Sequence, residues 1–292
     1  MKSLSLYSYA KLNLYLRILK KRSDNYHSIF TIFERINLSD KIKLRLLPKK
    51  EIRLVQEGCS LPRGSRNLAY QAARLLKKEF DIQQGVEINI NKHIPISSGL
   101  GGGSSNAACV LRGLNQLWKL NLKKNQLVKL GQRIGADVPF FLHNTSFAYG
   151  TARGDKVKPL RLPVKLWHII VVPMVRISSS MSYRKWDEVE CGTELTNPKS
   201  IIKIFKRALL KKNIILLSKI LYNSFEDISA VRYPVIRKIR LVLSDFGLKA
   251  ILMSGSGSAV FGLVMSRKEG YGIVRQIRKR FDDWDVFLAR TV

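Results

Sequence analysis

The chain has 292 residues, 46% of them hydrophobic, which is enough to bury a sizeable core and excludes a mainly disordered protein. Its 52 lysines and arginines outnumber its 21 aspartates and glutamates, so the formal net charge is +31 and anionic ligands are favoured. The basic residues are spread over the whole sequence, which is more typical of a solvated basic surface than of a specific nucleic-acid site.

The sequence also bears on where the protein resides. The longest apolar stretch, 169–175, is much shorter than the roughly 20 residues that a membrane-spanning helix needs. The N-terminal segment alternates like a strand and lacks the pattern of a signal or transit peptide. Its cysteines, Cys59, Cys109 and Cys191, are scattered and fit neither a disulfide framework nor a metal knuckle. We therefore expect a bacterial cytoplasmic protein, a monomer or homodimer, with no membrane partner.

The first half of the chain is predicted to begin with antiparallel strands and to continue with helices. Alternation of polar and apolar residues predicts strands at 3–19, 28–38, 41–47 and 86–91. Apolar residues at helical spacing predict helices that begin at about 67, 104 and 124, the last ending at Gly135. Residues 136–139 are predicted to form a loop.

The second half begins with a change in composition, since 166–172 is a nearly continuous apolar strand. We place the domain boundary just before it, which predicts domains 1–163 and 164–292. The other elements of this half are expected as helices at 197–222, 232–246 and 268–281 and as strands at 261–265 and 285–291.

A glycine-rich segment, PISSGLGGGSSNAA at 95–108, lies between a predicted strand and a predicted helix. Glycines let the backbone approach a ligand closely, and the amides at a helix start attract anions. The segment has no lysine, which excludes a Walker A loop, and Ser104 stands where a Rossmann fingerprint has its last glycine. It therefore predicts a phosphate-binding loop of another kind. The alternative is a flexible glycine turn capped by serine.

Four stretches of the chain, in this order, resemble the motifs of the GHMP kinases. They are AKLNL at 10–14, the glycine loop at 95–108, GADVPFF at 135–141 and SGSGSA at 254–259. The resemblance spans essentially the whole chain. It implies an α+β, two-domain GHMP kinase fold, with an N-terminal ribosomal-protein-S5-like domain, a C-terminal ferredoxin-like α/β sandwich domain and the active site in the cleft between them.

The chain resembles one branch of this family in more detail. The resemblance lies in AKLNLYL, followed by Asp24-Asn25-Tyr26-His27. This resemblance implies ATP-dependent phosphorylation of the 2-hydroxyl of 4-diphosphocytidyl-2-C-methyl-D-erythritol, in the non-mevalonate route to isopentenyl diphosphate. Asn25 and Ala152 depart from the pattern, because glycine is more usual at both positions. Asparagine tolerates the left-handed backbone conformation, so the turn at Asn25 is expected to survive.

The resemblance assigns catalysis to Asp137 and Lys11. An alcohol is a poor nucleophile at neutral pH, so a carboxylate within hydrogen-bonding reach has to accept its proton, and Asp137 is expected in that role. Lys11 lies in an otherwise apolar strand, where it would hold the carboxylate ionised and stabilise charge on the attacking oxygen. The alternatives are a loop aspartate that caps nearby amides and an edge-strand lysine that extends to solvent.

ATP is expected to bind to the glycine loop and to two residues outside it. The implied ATP-binding residues are Pro95, Ile96, Ser97, Ser98, Gly99, Leu100, Gly101, Gly102, Gly103, Ser104, Ser105, Asn67 and Lys92. For Asn67 and Lys92 the resemblance implies contacts with adenine, and the alternatives are a helix N-cap and a surface lysine.

The second substrate, a cytidine diphosphate derivative, is expected to bind through two groups of residues. The cytidine end would be contacted by Asn13, Tyr26, His27 and Tyr183, since tyrosine can stack on a pyrimidine and histidine can hydrogen-bond to its edge. The substrate phosphates would be covered by the turn of Ser254, Gly255, Ser256 and Gly257. The alternatives are ordinary turn packing for Tyr26 and a simple β-turn at 254–258.

ATP is expected to act as phosphoryl donor together with Mg²⁺, and no dedicated protein metal site is predicted. His93, His143 and His168 are interpreted as structural.

Two other functions stay open at this point. One is a GHMP kinase for another alcohol, of the homoserine or mevalonate type. The other is a basic nucleic-acid-binding protein on the same fold, which would need neither Lys11 nor Asp137.

Overall fold

The computed structural model describes residues 2–57, 64–189 and 197–292, so Cys59 and Cys191 lie outside the described residues. Cys109 is a buried free thiol. Within the described ranges, no helix combines the length and the apolar character needed to cross a bilayer.

Long antiparallel strands dominate the first half. The strands are β1 (Ser3–Lys21), β2 (His27–Leu47), β3 (Ile52–Glu57), β4 (Gly85–Asn91), β5 (Phe147–Thr151) and β6 (Lys156–Leu160). The prediction of separate strands at 28–38 and 41–47 is wrong, because β2 runs through both. The pairing of β2 with β1 shifts register opposite Tyr9 and Ala10, so the polar residues of β2 bulge without ending the strand.

Helices cover one face of this sheet. They are α1 (Leu68–Glu79), which follows a 3₁₀ turn (Gly64–Arg66), α2 (Gly102–Leu117), α3 (Lys124–Ile134) and α4 (Val138–Leu142). Apolar side chains of α1 and α2 pack on β2 and β4 in one buried cluster. The predicted loop at 136–139 instead leads into the short helix α4, because Pro139 occupies an early helical position where its missing N–H costs nothing.

The second half contains a four-stranded antiparallel sheet. Its strands are β7 (Trp167–Pro173), β9 (Ile251–Met253), β10 (Val260–Val264) and β11 (Trp284–Arg290), in the order β11-β7-β10-β9. The helices of this half are α5 (Ser179–Val189), α6 (Pro198–Leu210), α7 (Ile214–Ile220), α8 (Glu226–Arg232), α9 (Pro234–Asp245) and α10 (Arg267–Arg280). The spatial order of the strands, fourth–first–third–second, is that of a ferredoxin-like sheet. Helix α5 was not predicted.

The two halves share contacts rather than meeting at a single linker. The short strand β8 (Tyr222–Asn223) pairs in parallel with β1, and Thr291, at the C-terminal end of the chain, bridges to Ile36 of β2. The predicted boundary between residues 163 and 164 falls between β6 and β7, and the exact division stays a prediction. These contacts bring the glycine-rich turn after β9 against the glycine loop after β4.

Candidate active site

A cleft of about 630 Å³ opens between the two sheets and contains most of the predicted site residues. The predicted residues that line it are Lys11, Asn13, Asn67, Lys92, Pro95, Ile96, Ser97, Ser98, Gly99, Leu100, Gly101, Gly102, Gly103, Ser104, Asp137, Tyr183, Gly255 and Ser256. A concave site of this volume suits a small-molecule ligand.

The glycine loop presents the start of α2 to this cleft. Gly101 is the N-cap, with φ of +69°, a left-handed conformation in which glycine is not strained. The first intrahelical hydrogen bond is donated by Ser105 N to Gly101 O at 2.9 Å. Three residues of α2 come before this first bond, so their amides have no acceptor within the helix. They are Gly102, Gly103 and Ser104, and all three line the cleft. Three amides at the positive end of a helix form a phosphate-binding arrangement.

Lys11 and Asp137 meet at the edge of this loop. The Lys11 ammonium lies 3.4 Å from Asp137 Oδ2; the lysine side chain is 4% exposed and the aspartate side chain 31%. Asp137 makes no side-chain capping bond to α4, so its carboxylate is available to the cleft. Lys11 also donates to Asn13 Oδ1, and its backbone N donates to Leu100 O at 3.0 Å. The pair is therefore held in place beside the phosphate loop.

The two glycine turns pack directly on each other. A Cβ on Gly99 would lie 2.0 Å from Ser254 O, so only glycine allows this approach. Ser254 Oγ donates to Gly99 O at 3.2 Å and accepts from Asn13 N at 3.2 Å. Ala259 N donates to Ser98 O at 3.0 Å. The turn after β9 thus forms the wall of the cleft opposite α2, while Gly257 lies behind that wall against Met253.

Ser105 was predicted to contact phosphate, and the structure does not place it there. Its hydroxyl accepts a hydrogen bond from Ser8 at 2.8 Å, its amide already donates to Gly101, and it is 3% exposed. The helical period explains this, since position 105 faces the core when 102–104 face the cleft.

The two residues predicted to contact adenine have structural contacts as well. Asn67 caps α1, its side chain accepting from Ala69 N at 2.9 Å, and it also lines the cleft. The Lys92 ammonium lies 2.7 Å from Asp40 Oδ2, with 5% of the lysine side chain and none of the aspartate side chain exposed. Lys92 is therefore not a surface lysine, and its ammonium lies beside Gly102 at the start of α2.

A second cluster adjoins the cleft through Tyr183, which lines it. The rings of His27 and Tyr183 stack with centroids 5.1 Å apart, and His27 Nε2 is 2.6 Å from Asp187 Oδ1. The Lys21 ammonium is 2.5 Å from Asp187 Oδ2. The hydrogen bond from Lys21, reinforced by His27, lowers the pKa of Asp187. Burial raises the pKa of Tyr183, and the nearby charge of Asp137 adds to the rise.

The other two residues predicted for the cytidine end make different contacts. Tyr26 is 54% exposed, with the Arg153 guanidinium 5.0 Å from its ring centroid. Asn13 is buried beside Lys11, and its amide donates to Thr31 Oγ1 at 2.8 Å. Asn13 also lines the cleft and is placed to orient Lys11, and its contact with the substrate stays a prediction.

Three polar residues that support the site were not predicted. Asp40 accepts from Lys92, Asp187 binds His27, and the Asn223 amide donates to Met253 O and Gly255 O at 2.7 and 2.8 Å. Asp40 lies in β2, which the sequence pattern divided into two strands. Asp187 lies in α5, a helix that was not predicted. Asn223 precedes Ser-Phe-Glu-Asp, which resembles an ordinary helix start, so the sequence offered no distinct signal.

Among the described residues, no group of three or more His, Cys, Asp and Glu side chains is placed to hold a metal ion. Mg²⁺ in nucleotide sites is commonly held by one or two protein oxygens, substrate phosphates and water. The Asp137 carboxylate and the Ser104 hydroxyl both line the cleft beside the phosphate loop and supply such oxygens. The residues present therefore fit a nucleotide-borne Mg²⁺.

Comparison with known families identifies both halves of the chain. The family model for the GHMP kinases N terminal domain matches residues 67–145, and that for GHMP kinases C terminal matches residues 205–283. Together they cover most of the elements that build the cleft. They confirm the family that the four motifs predicted.

Curated relatives and solved structures agree with this match. The 4-diphosphocytidyl-2-C-methyl-D-erythritol kinase of Geobacillus kaustophilus is 40% identical over 89% of this chain and 88% of its own length. The 4-diphosphocytidyl-2-C-methyl-D-erythritol kinase of Bacillus subtilis is 38% identical over 92% of this chain and 91% of its own length. A crystal structure of 4-(cytidine 5'-diphospho)-2C-methyl-D-erythritol kinase has a TM-score of 0.81, 30% identity and 98% coverage of both chains. A homoserine kinase of Cytophaga hutchinsonii, at TM-score 0.76 and 19% identity, shares the fold alone. The chain belongs to the GHMP kinase family, on the branch of the 4-diphosphocytidyl-2-C-methyl-D-erythritol kinases.

Proposed function

We propose that this chain transfers the γ-phosphoryl group of ATP to the 2-hydroxyl of 4-diphosphocytidyl-2-C-methyl-D-erythritol. The observation that carries the proposal is the Lys11–Asp137 pair, 3.4 Å apart at the edge of a phosphate-binding helix start. Relatives about 40% identical over most of the chain are named for the same reaction, which supports this substrate over homoserine or mevalonate.

Asp137 is proposed to accept the proton of the attacking hydroxyl. Its carboxylate is partly exposed to the cleft, makes no capping bond and lies beside a buried ammonium. Lys11 would keep that carboxylate ionised and stabilise the developing charge on oxygen, an effect that is strong in a site shielded from water. Asn13 accepts a hydrogen bond from the Lys11 ammonium and so helps to hold it in place.

The start of α2 is proposed to bind the ATP phosphates. The amides of Gly102, Gly103 and Ser104 would donate to phosphate oxygens, and the helix dipole favours the negative charge there. Mg²⁺, when bound, neutralises charge on the phosphates. These residues orient the donor, and the transfer itself then requires little further chemistry from the protein.

The cluster of His27, Tyr183 and Asp187 is proposed to bind the cytosine ring. A stacked pair of rings at 5.1 Å supplies the aromatic surface, and a carboxylate at 2.6 Å orients the histidine so that its other ring nitrogen can meet a base edge. The turn at 254–257 would close over the diphosphate.

A coupled assay of ADP release with the cytidyl substrate tests the mechanism. We expect D137N to lower kcat by about 10²–10⁴-fold, the range for loss of a general base, while binding of ADP alone is preserved. K11M should also lower kcat strongly. Because the two groups act as a unit, the double variant should lose much less than the product of the single losses.

Equal rates for wild type and D137N would contradict the mechanism, and multiplicative losses in the double variant would contradict the pairing. Asp282, an exposed residue after α10, offers a matched control, since D282N removes the same charge far from the cleft. Turnover of homoserine or mevalonate in place of the cytidyl substrate would reassign the acceptor within the family.

A further inference from the structure

Asp40 is a fully buried carboxylate at the centre of a hydrogen-bond cluster beside the phosphate loop. Its side chain is 0% exposed, and its carboxylate accepts four hydrogen bonds. Oδ1 accepts from the backbone amides of His93 and Ile94, both at 2.8 Å. Oδ2 accepts from Lys92 Nζ at 2.7 Å and from Asn106 Nδ2 at 2.8 Å. A buried carboxylate is tolerated only when its lone pairs are occupied in this way.

The four donors belong to the segments that define the phosphate-binding end of the cleft. His93 and Ile94 lead from β4 into the glycine loop, and Asn106 lies in the second turn of α2. Asn106 Nδ2 also donates to Ser8 Oγ at 2.9 Å, which connects the cluster to β1. Asp40 of β2 therefore joins the entry to the loop, the helix after it and the strand that carries Lys11.

Lys92 connects this cluster to the cleft. A Cβ on Gly102 would lie 2.9 Å from the Lys92 ammonium, so that ammonium is against the first residue of α2. Lys92 also lines the cleft. The positive charge of Lys92 is thus held at the same end of the helix as the amides of Gly102, Gly103 and Ser104, where it adds to the attraction of phosphate.

We propose that Asp40 is a positioning residue for nucleotide binding, which fixes Lys92 and the first turns of α2 in the geometry that receives the phosphates. It touches neither ATP nor the alcohol. The inference rests on the proposed function in taking ATP as the nucleotide, and it assigns the Lys92 ammonium to the phosphates rather than to adenine. It predicts that Asp40 affects nucleotide affinity and leaves affinity for the alcohol unchanged.

The change Asp40→Asn tests this, because all four partners of Asp40 are donors. An amide offers one acceptor oxygen and one donor nitrogen, so two of the partners would face an N–H group and lose their hydrogen bonds. We expect ADP affinity, measured by calorimetry, to fall about tenfold, with a similar rise in KM for ATP. KM for the cytidyl substrate should stay within about twofold.

A rescue separates positioning from general destabilisation. In the double variant D40N/N106D the carboxylate moves to the neighbouring position, where it can accept from both Lys92 and the new amide. ADP affinity should recover to within about threefold of wild type. D282N, which changes the net charge equally on the surface, should bind ADP as the wild type does.

A folded D40N variant with wild-type ADP affinity would overturn the proposal, and so would a double variant that binds no better than D40N. If D40N fails to fold, N106A is measured instead. It removes one of the four donors and should weaken ADP binding about threefold, and unchanged affinity there would also overturn the proposal. ADP binding is measured without the alcohol, so failure of the proposed substrate assignment would not obscure the result.

Discussion

At the scale of single residues, backbone conformation explains one departure from the family pattern. Asn25 and Ala152, the two positions interpreted as departures from that pattern, both have positive φ, +62° and +57°. Asparagine adopts this conformation readily, whereas alanine is strained there by its Cβ. The tolerance predicted for Asn25 is confirmed, and Ala152 carries a local cost.

Ala152→Gly should therefore stabilise the protein. Relief of the left-handed strain exceeds the entropy lost by glycine, so the free energy of unfolding should rise by about 0.5–1 kcal/mol. Urea denaturation monitored by circular dichroism measures this. As a control, Ala230→Gly in helix α8 should lower the free energy of unfolding by about 1 kcal/mol. A loss of stability in the Ala152 variant would contradict the strain argument.

At the scale of elements, strand β8 holds the second glycine turn in place. The Asn223 amide donates to the carbonyl oxygens of Met253 and Gly255, and its own oxygen accepts from Phe225 N at 3.0 Å. This links β8, β9 and the turn that faces the glycine loop. Asn223 is therefore one of the buried side chains that hold this turn, beside the contacts that Ser254 makes with Gly99 and Asn13.

Asn223→Asp should displace this turn, because a carboxylate would face two carbonyl oxygens with nothing to donate. We expect the free energy of unfolding to fall by about 1–3 kcal/mol and kcat/KM for the cytidyl substrate to fall at least about tenfold. Asn213→Asp is the matched control. Asn213 caps α7 by accepting from Leu216 N, and aspartate caps equally well, so stability and activity should be unchanged. A fully active N223D variant would show that the turn is held by other contacts.

Glu226 makes the packing of α8 sensitive to pH. It accepts from Met253 N at 2.8 Å and pairs with Arg240 at 2.7 Å. Burial raises the pKa of Glu226 above its ordinary value of 4.5, against the opposing effect of Arg240. The folded state therefore binds this proton more tightly than the unfolded state does. The resulting stabilisation is present below pH 4.5 and is lost as the pH rises through the pKa of the folded state.

Glu226→Gln should remove this dependence. Between pH 4.5 and pH 8 the wild-type free energy of unfolding should decline relative to that of the variant. Parallel urea titrations at several pH values measure the difference. The exposed Glu188 in α5 offers a control, since Glu188→Gln should leave the wild-type profile unchanged. Parallel profiles for wild type and E226Q would contradict this account.

At the scale of the whole molecule, the charge of +31 predicts non-specific binding of polyanions. A short single-stranded DNA should bind at low salt and dissociate as the salt concentration is raised to a few hundred millimolar, with no preference for base sequence. Fluorescence anisotropy with two unrelated sequences measures this. A strong preference for one sequence at physiological salt would instead support a specific nucleic-acid function. The oligomeric state stays a prediction at this scale.

Much of the fold could be predicted from local patterns. The alternation in β1 and the helical spacing in α2 and α3 placed those elements within two residues, because each buries one face against a common core. The split of β2 and the absence of α5 from the prediction have a shared cause. Polar residues at 37–41 and 178–185 make contacts with distant segments, and local periodicity carries no sign of such contacts.

Residue types at fixed short spacing were enough to identify the family and to predict the phosphate loop and the two candidate catalytic residues. Tertiary structure alone decided that Ser105 faces inward, that Asn13 supports Lys11, and that Asp40, Asp187 and Asn223 hold the site. These roles depend on partners far away in the chain: Lys92, for example, follows Asp40 by 52 positions. Only the folded chain brings such groups within hydrogen-bonding distance.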